Sequence, residues 1–261
     1  MISIKKIVMK YPLITFFILS YILSWALISL LRGLLPQGVA LAAVIVIALT
    51  TGRKGLREFW SRLINFRAGY LFLVALAIIV FFKLADITSN ILAGGTFGGL
   101  PNISFVTVAI LLLFFGGQWE ELGWTGYALP TLQKRFAKVK YGPLIATLIV
   151  GAGRGIWHLP LVLVGAIPWY DAVLFSPFVF QPFISWLYNK SGGSVPLVIF
   201  FHYMSNLLFA ISPVFTGADK QMYAILYMAV GIMAGLALVW KTGFKLGYED
   251  SFSGVKTNNK K

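Results

Sequence analysis

The chain has no cysteine, and among its 261 residues it has only two histidines and eight acidic residues. Without thiols it can build neither disulfides nor thiolate metal sites, and their absence says nothing about compartment. Charge is scarce too. Only 11% of the residues are charged, against about 25% in soluble domains, so no water-facing surface can be assembled from this composition. No internal repeat, low-complexity segment or second domain is visible.

What the chain has instead is apolar length. Hydrophobic residues make up 59% of it. A membrane span needs about 20 mainly apolar residues, and candidate stretches occur at 11–31, 37–51, 68–92, 103–129, 142–167, 172–188, 194–213 and 222–241. The second of these is short. The run after Lys5, Lys6 and Lys10 resembles a signal peptide, but it is too long for one and no small-x-small cleavage site follows, so it is expected to remain as the first span. Segment 53–67 differs from the rest. Leu56, Phe59, Trp60, Leu63 and Ile64 recur at helical spacing while Arg57, Glu58 and Arg62 fill the other positions. This is an amphipathic helix suited to the membrane interface.

The expected architecture is therefore an all-α, polytopic membrane helix bundle of about eight transmembrane helices plus one interfacial helix. Residues 1–247 form a single membrane domain, and 248–261 form a polar, disordered cytoplasmic tail. The net charge of +14 fits basic loops held on the cytoplasmic side, against anionic lipid, better than nucleic-acid binding. Eight spans with both termini inside place 18 of the 22 basic residues in inside regions and leave only Arg32 and Lys220 in outside loops. One span more or fewer would scramble that pattern.

Ionisable residues within spans are costly and are functional candidates by default. They are Lys83, Asp86, Glu120, Glu121, Arg154, His158 and His202. Lys83 and Asp86 stand three apart and can pair as a structural unit. Glu120 and Glu121 are neighbours, about 100° apart on a regular helix, so both reach one small site only if the helix is distorted. Arg154 and His158 share one helix face, as do His202 and Asn206. The glutamates, His158 and His202 fall on three different spans at similar depth and can converge. A buried glutamate beside another carboxylate suits general-base work. The flanking Trp119, Trp124 and Trp157 and the small Gly116, Gly117, Gly123 and Gly126 read first as packing residues.

Three segments resemble the CAAX prenyl protease and bacteriocin-processing family of intramembrane proteases, also called the abortive-infection family. The segments are Glu120-Glu121-Leu122-Gly123-Trp124-Thr125-Gly126 with Pro130 beyond, Arg154-Gly155-Ile156-Trp157-His158-Leu159-Pro160, and His202 through Asn206. They correspond to Glu-Glu-x-x-x-Arg, to an aromatic residue four positions before the His of a Trp-His-x-Pro stretch, and to His-x-x-x-Asn. The protease-like core would span about 103–213. The resemblance implies an intramembrane endopeptidase acting on a membrane-associated or lipidated peptide through glutamate-activated water. Glu120 would be the base, His158 would orient the water, and His202 with Asn206 would face the oxyanion, while Glu121 holds the site. It requires no cofactor. Zinc on Glu120, His158 and His202 is the alternative, although no H-E-x-x-H pair is present. Implied partners are a membrane-embedded peptide or protein substrate and the lipid bilayer, with no nucleic acid. Implied location is a bacterial cell membrane.

Two positions depart from the pattern: Thr125 stands where the family has arginine, and Arg154 where it has an aromatic residue. An exchange is expected, in which Arg154 supplies the missing cation and pairs with Glu121. Lining of a watery cavity by Arg154, or loss of catalysis, are the alternatives at this position. For the whole chain, a non-catalytic immunity or binding protein and an ion- or proton-coupled transporter are the competing readings. The absence of an inverted repeat counts against the transporter.

Overall fold

The computed structural model describes residues 4–26, 28 and 33–249. The end of the first expected span and the expected tail beyond residue 249 lie outside them. Helices follow one another almost without interruption: α1 Ile4–Lys10, α2 Pro12–Trp25, α3 Gln37–Thr50, α4 Gly52–Leu63 and α5 Leu71–Leu92. A broken helix covers 105–135. Then come α9 Gly142–Leu163, a π-helical stretch Asp171–Phe180 running into α10 Gln181–Lys190, α11 Val195–Ala210 and α12 Lys220–Thr242. Local chemistry sets the starts. Proline stands in the first turn of α2, α9, α10 and α11, where its missing N–H costs nothing. Asp219 caps α12 by accepting the Met222 amide at 2.8 Å.

This is the all-α membrane bundle the composition requires. Among the described residues, four helices are long and apolar enough to cross a bilayer: Leu71–Leu92, Phe105–Arg135, Gly142–Leu163 and Lys220–Thr242. Pro12–Trp25, Gln37–Thr50 and Val195–Ala210 are apolar but shorter. Their outward faces are oily. Leu73 is 71% exposed and Trp240 is 88% exposed, which suits contact with lipid tails and not with water.

The two ends of the bundle differ. At one, β1 Thr96–Gly99 pairs antiparallel with β2 Val214–Thr216, and the Asp219 amide donates to Ala93 O at 2.8 Å. This ribbon draws one strand from the glycine-rich connection that follows α5. At the other end, polar side chains tie the connections together. Asn65 donates to Gly192 O at 3.2 Å, Ser194 to Asn65 O at 2.5 Å, and Gln133 to Asn189 at 2.9 Å. The amphipathic helix α4 lies at this end, with Phe59 buried and Trp60 exposed. Gly52, at φ +59°, makes the turn that separates it from α3.

Across the middle, α2 is bonded to α9. The Tyr21 hydroxyl donates to Gly153 O at 3.1 Å, and Trp25 Nε1 donates to Trp157 O at 3.0 Å. Lys83 and Asp86 pair at 2.5 Å, as their spacing predicts. Asp86 also accepts from Asn90 at 3.2 Å and from the Tyr223 hydroxyl at 2.8 Å, so the pair fastens α5 to α12.

Candidate functional site

The broken helix creates the site. Its first part, α6 Phe105–Phe115, ends at Gly116, whose backbone is extended. A 3₁₀ turn follows at Gly117–Trp119, then α7 Glu120–Gly123, a π-helical turn Trp124–Ala128 and α8 Leu129–Arg135. A break inside a membrane frees carbonyls that must find donors. The Gln118 side chain supplies two bonds, to Leu112 O and Leu113 O, and Trp119 Nε1 bonds Leu113 O at 3.1 Å. The distortion that two adjacent glutamates demand is therefore present on both sides of the pair.

Glu120 and Glu121 are both fully enclosed, and both meet the guanidinium of Arg154 from α9. Arg154 Nη1 donates to Glu120 Oε2 at 3.2 Å. Nη2 lies 2.8 Å from Glu121 Oε1, an ion pair off the hydrogen-bonding direction. The fork of one planar cation thus spans two carboxylates. Arg154 Nε donates to Gln181 Oε1 at 3.3 Å, and the Phe180 ring lies 5.4 Å from the guanidinium carbon.

The two carboxylates are held differently. Glu121 is engaged at both oxygens: Thr125 donates to Oε2 at 2.5 Å, and His202 Nδ1 lies 2.7 Å from Oε1. Glu120 accepts at Oε2 only, from Arg154 and from Trp124 Nε1 at 3.2 Å. Its Oε1 takes no hydrogen bond among the described residues. That oxygen and His202 Nε2 both border the bare Cα of Gly117, where a β-carbon would stand 2.9 Å from the first and 2.6 Å from the second. A side chain at 117 has no room.

Tautomers follow from partners. His158 Nδ1 faces Arg154 O at 2.9 Å. A carbonyl only accepts, so Nδ1 carries the hydrogen, and Nε2 of the neutral ring is an acceptor. His202 Nδ1 faces a carboxylate, so it too carries hydrogen, and its Nε2 donates only when the ring holds both protons. The Asn206 side chain, one turn beyond His202, makes no hydrogen bond among the described residues.

A cavity of about 560 Å³ opens onto this cluster, lined by Arg154, His158, His202 and Asn206 among others. The glutamates are not on its wall. They lie behind Arg154 and His202. The sequence candidates therefore divide into a cavity-facing set and an inner carboxylate pair, joined through the cation and the histidine.

The residues present do not suit a zinc ion. The Arg154 guanidinium lies against both carboxylates, where its charge opposes binding of a dication. Among the described residues no group of three or more His, Cys, Asp or Glu side chains is arranged to hold a metal.

Sequence reasoning passed over Gln181 and the positional role of Gly117. Gln181 is wholly buried and orients Arg154; an amide in an apolar span was the available signal. Asp171 also lines the cavity and makes no hydrogen bond or ion pair through its side chain among the described residues. It stands at the edge of a span, where an acidic residue draws no notice.

Comparison with known proteins bears on the same region. Residues 102–208 match the family model described as type II CAAX prenyl endopeptidase Rce1-like. The chain is also 27% identical over 242 residues to CAAX prenyl protease 2 of Methanococcus maripaludis, covering 79% of this chain and 86% of that protein.

Proposed function

We propose that the chain is an intramembrane peptidase of the CAAX prenyl endopeptidase family, which the matching family model and relative support, and that hydrolysis runs on water activated by Glu120, without metal. The observation that supports it most is the joining of three helices by buried charge behind one cavity. Glu120 and Glu121 on α7, Arg154 on α9 and His202 on α11 are connected by two ion pairs and a short His–Glu contact, and His158 is held against the Arg154 backbone carbonyl.

Within that arrangement the chemistry needs a base, a donor for the oxyanion and a fixed frame. Glu120 Oε1, free of hydrogen bonds, takes a proton from water as its oxygen attacks the scissile carbonyl carbon. His158 Nε2 orients the water by accepting its other hydrogen. Asn206, and His202 Nε2 when doubly protonated, donate to the oxyanion that forms. The C–N bond then breaks and the proton held by Glu120 passes to the departing amine. Glu121, saturated by Thr125, His202 and Arg154, is the frame. Glu120 sits behind the cavity wall, so attack requires that water pass the Arg154 and His202 side chains that separate it from the cavity.

The substrate is a membrane-associated peptide or protein, and a lipidated one is the reading that the relatives' names favour. Basic connections on the cytoplasmic side, both termini there and eight crossings complete the proposal.

The test is cleavage of membrane-embedded reporter peptides, lipidated and plain, by purified protein. Glu120→Gln is expected to lower kcat by about 10²–10⁴-fold with the fold retained. Zinc chelation is expected to leave wild-type cleavage unchanged. Full activity of Glu120→Gln, or loss of activity in chelator with restoration by zinc, would overturn the mechanism.

A further inference from the structure

A second cavity lies at the polar-tied end of the bundle, away from the glutamates. It measures about 540 Å³ and is lined by Lys54, Glu58 and Arg62 of α4, Lys134 of α8, and Asn189 and Gly192 near the end of α10. Three cations and one carboxylate thus face one space.

Among the described residues these cations take part in no ion pair, and Glu58, between Lys54 and Arg62 on their helix, reaches neither. Lys54 and Lys134 make no hydrogen bond through their ammonium groups. Arg62 gives one donor to Gly126 O at 2.9 Å, which leaves most of its five N–H groups unassigned. The walls are fixed before any ligand arrives. Gln133 bonds Asn189 at 2.9 Å, Asn189 bonds Leu246 O at 3.0 Å, and Asn65 bonds Gly192 O at 3.2 Å.

The surroundings say what kind of anion fits. The helix that supplies Lys54 and Arg62 also presents Trp60 61% exposed and Ile64, just beyond its end, 55% exposed, and Phe66 follows at 68%. Cations beside exposed apolar side chains, on an amphipathic helix at a membrane boundary, match a molecule that is anionic at its head and apolar in its tail. A free phosphate ion would use the first feature and leave the second without a role.

We propose that this cavity binds the phosphate of an anionic phospholipid, with its headgroup among Lys54, Arg62 and Lys134 and its acyl chains along the Trp60 side of α4. The inference is independent of the peptidase mechanism, since the site lies on other residues and is read out by binding.

The experiment is equilibrium binding of labelled phosphatidylglycerol to the purified full-length protein in neutral detergent, with phosphatidylcholine and inorganic phosphate as competitors. Saturable binding is expected, displaced by unlabelled phosphatidylglycerol and not by phosphatidylcholine. Lys54→Ala with Lys134→Ala is expected to weaken it roughly 30-fold, on the scale of a basic residue near an anionic surface. Lys5→Ala with Lys6→Ala removes equal charge elsewhere and is expected to leave it within about two-fold. A thermal melt of each variant separates lost binding from lost fold, and Lys54→Arg with Lys134→Arg retains the charge if the alanine pair fails to fold. Equal weakening by both alanine pairs would show attraction to net charge only and overturn the site. Displacement by inorganic phosphate as effective as by the lipid would overturn the lipid assignment.

Discussion

Arg154 and Glu121 sit on different helices, and their charged groups meet at 2.8 Å in a wholly buried place. The contact gives physical content to the two departures from the family pattern. The cation absent at position 125 stands at 154, and Thr125 keeps contact with the same carboxylate through its hydroxyl, 2.5 Å from Oε2.

Removing that cation alone leaves two carboxylates buried without compensation. Arg154→Leu is expected to cost about 3–5 kcal/mol, the usual penalty for breaking a buried pair from one side. Thr125→Arg combined with Arg154→Trp is expected to recover much of that loss, because a side chain at 125 already points at Glu121. Thermal unfolding in detergent checks both. A double variant no more stable than Arg154→Leu would show that the two positions do not exchange the charge.

The glutamates should separate by their partners. Glu120→Gln keeps the fold and loses cleavage. Glu121→Gln disturbs contacts with Thr125, His202 and Arg154 together, so melting temperature and cleavage are both expected to fall. Equal melting temperatures for the two variants would contradict the division into base and frame.

Gly117 is predicted to tolerate no side chain. In Gly117→Ala the new methyl would stand 2.6 Å from His202 Nε2 and 2.9 Å from Glu120 Oε1, so one of them must move. Cleavage is expected to fall at least ten-fold through kcat, since small displacements at a reacting centre are costly. Steady-state kinetics on the reporter peptides reads this directly.

Asn206 and Asp86 make a contrasting pair. The Asn206 side chain has no hydrogen bond to lose among the described residues, so Asn206→Ala is expected to leave stability within about 0.5 kcal/mol while lowering kcat about 10²–10³-fold, as loss of an oxyanion donor does. Asp86→Asn breaks the Lys83 pair and weakens the tie to Tyr223, so the melting temperature should fall while the kcat of the folded fraction stays near wild type.

The sequence by itself determined the solvent, the helices and the names of the polar residues. A chain this poor in charge must bury its surface in lipid, and in lipid the backbone must bond within helices. Buried polar residues are then rare enough to be read singly, which is why Glu120, His158 and His202 could be picked out and Lys83 matched with Asp86. Distances between helices are another matter. Helical spacing relates residues a few positions apart and carries no register between helices. Only tertiary packing decided that one guanidinium serves both glutamates, that Gln181 orients it, that the carboxylates stand behind the cavity wall, and that the connection at 96–99 pairs as a strand with 214–216. The break at Gly116–Gly117 belongs to both. Glycine permits it, but only the bonds from Gln118 and Trp119 to the freed carbonyls make it stable inside the membrane.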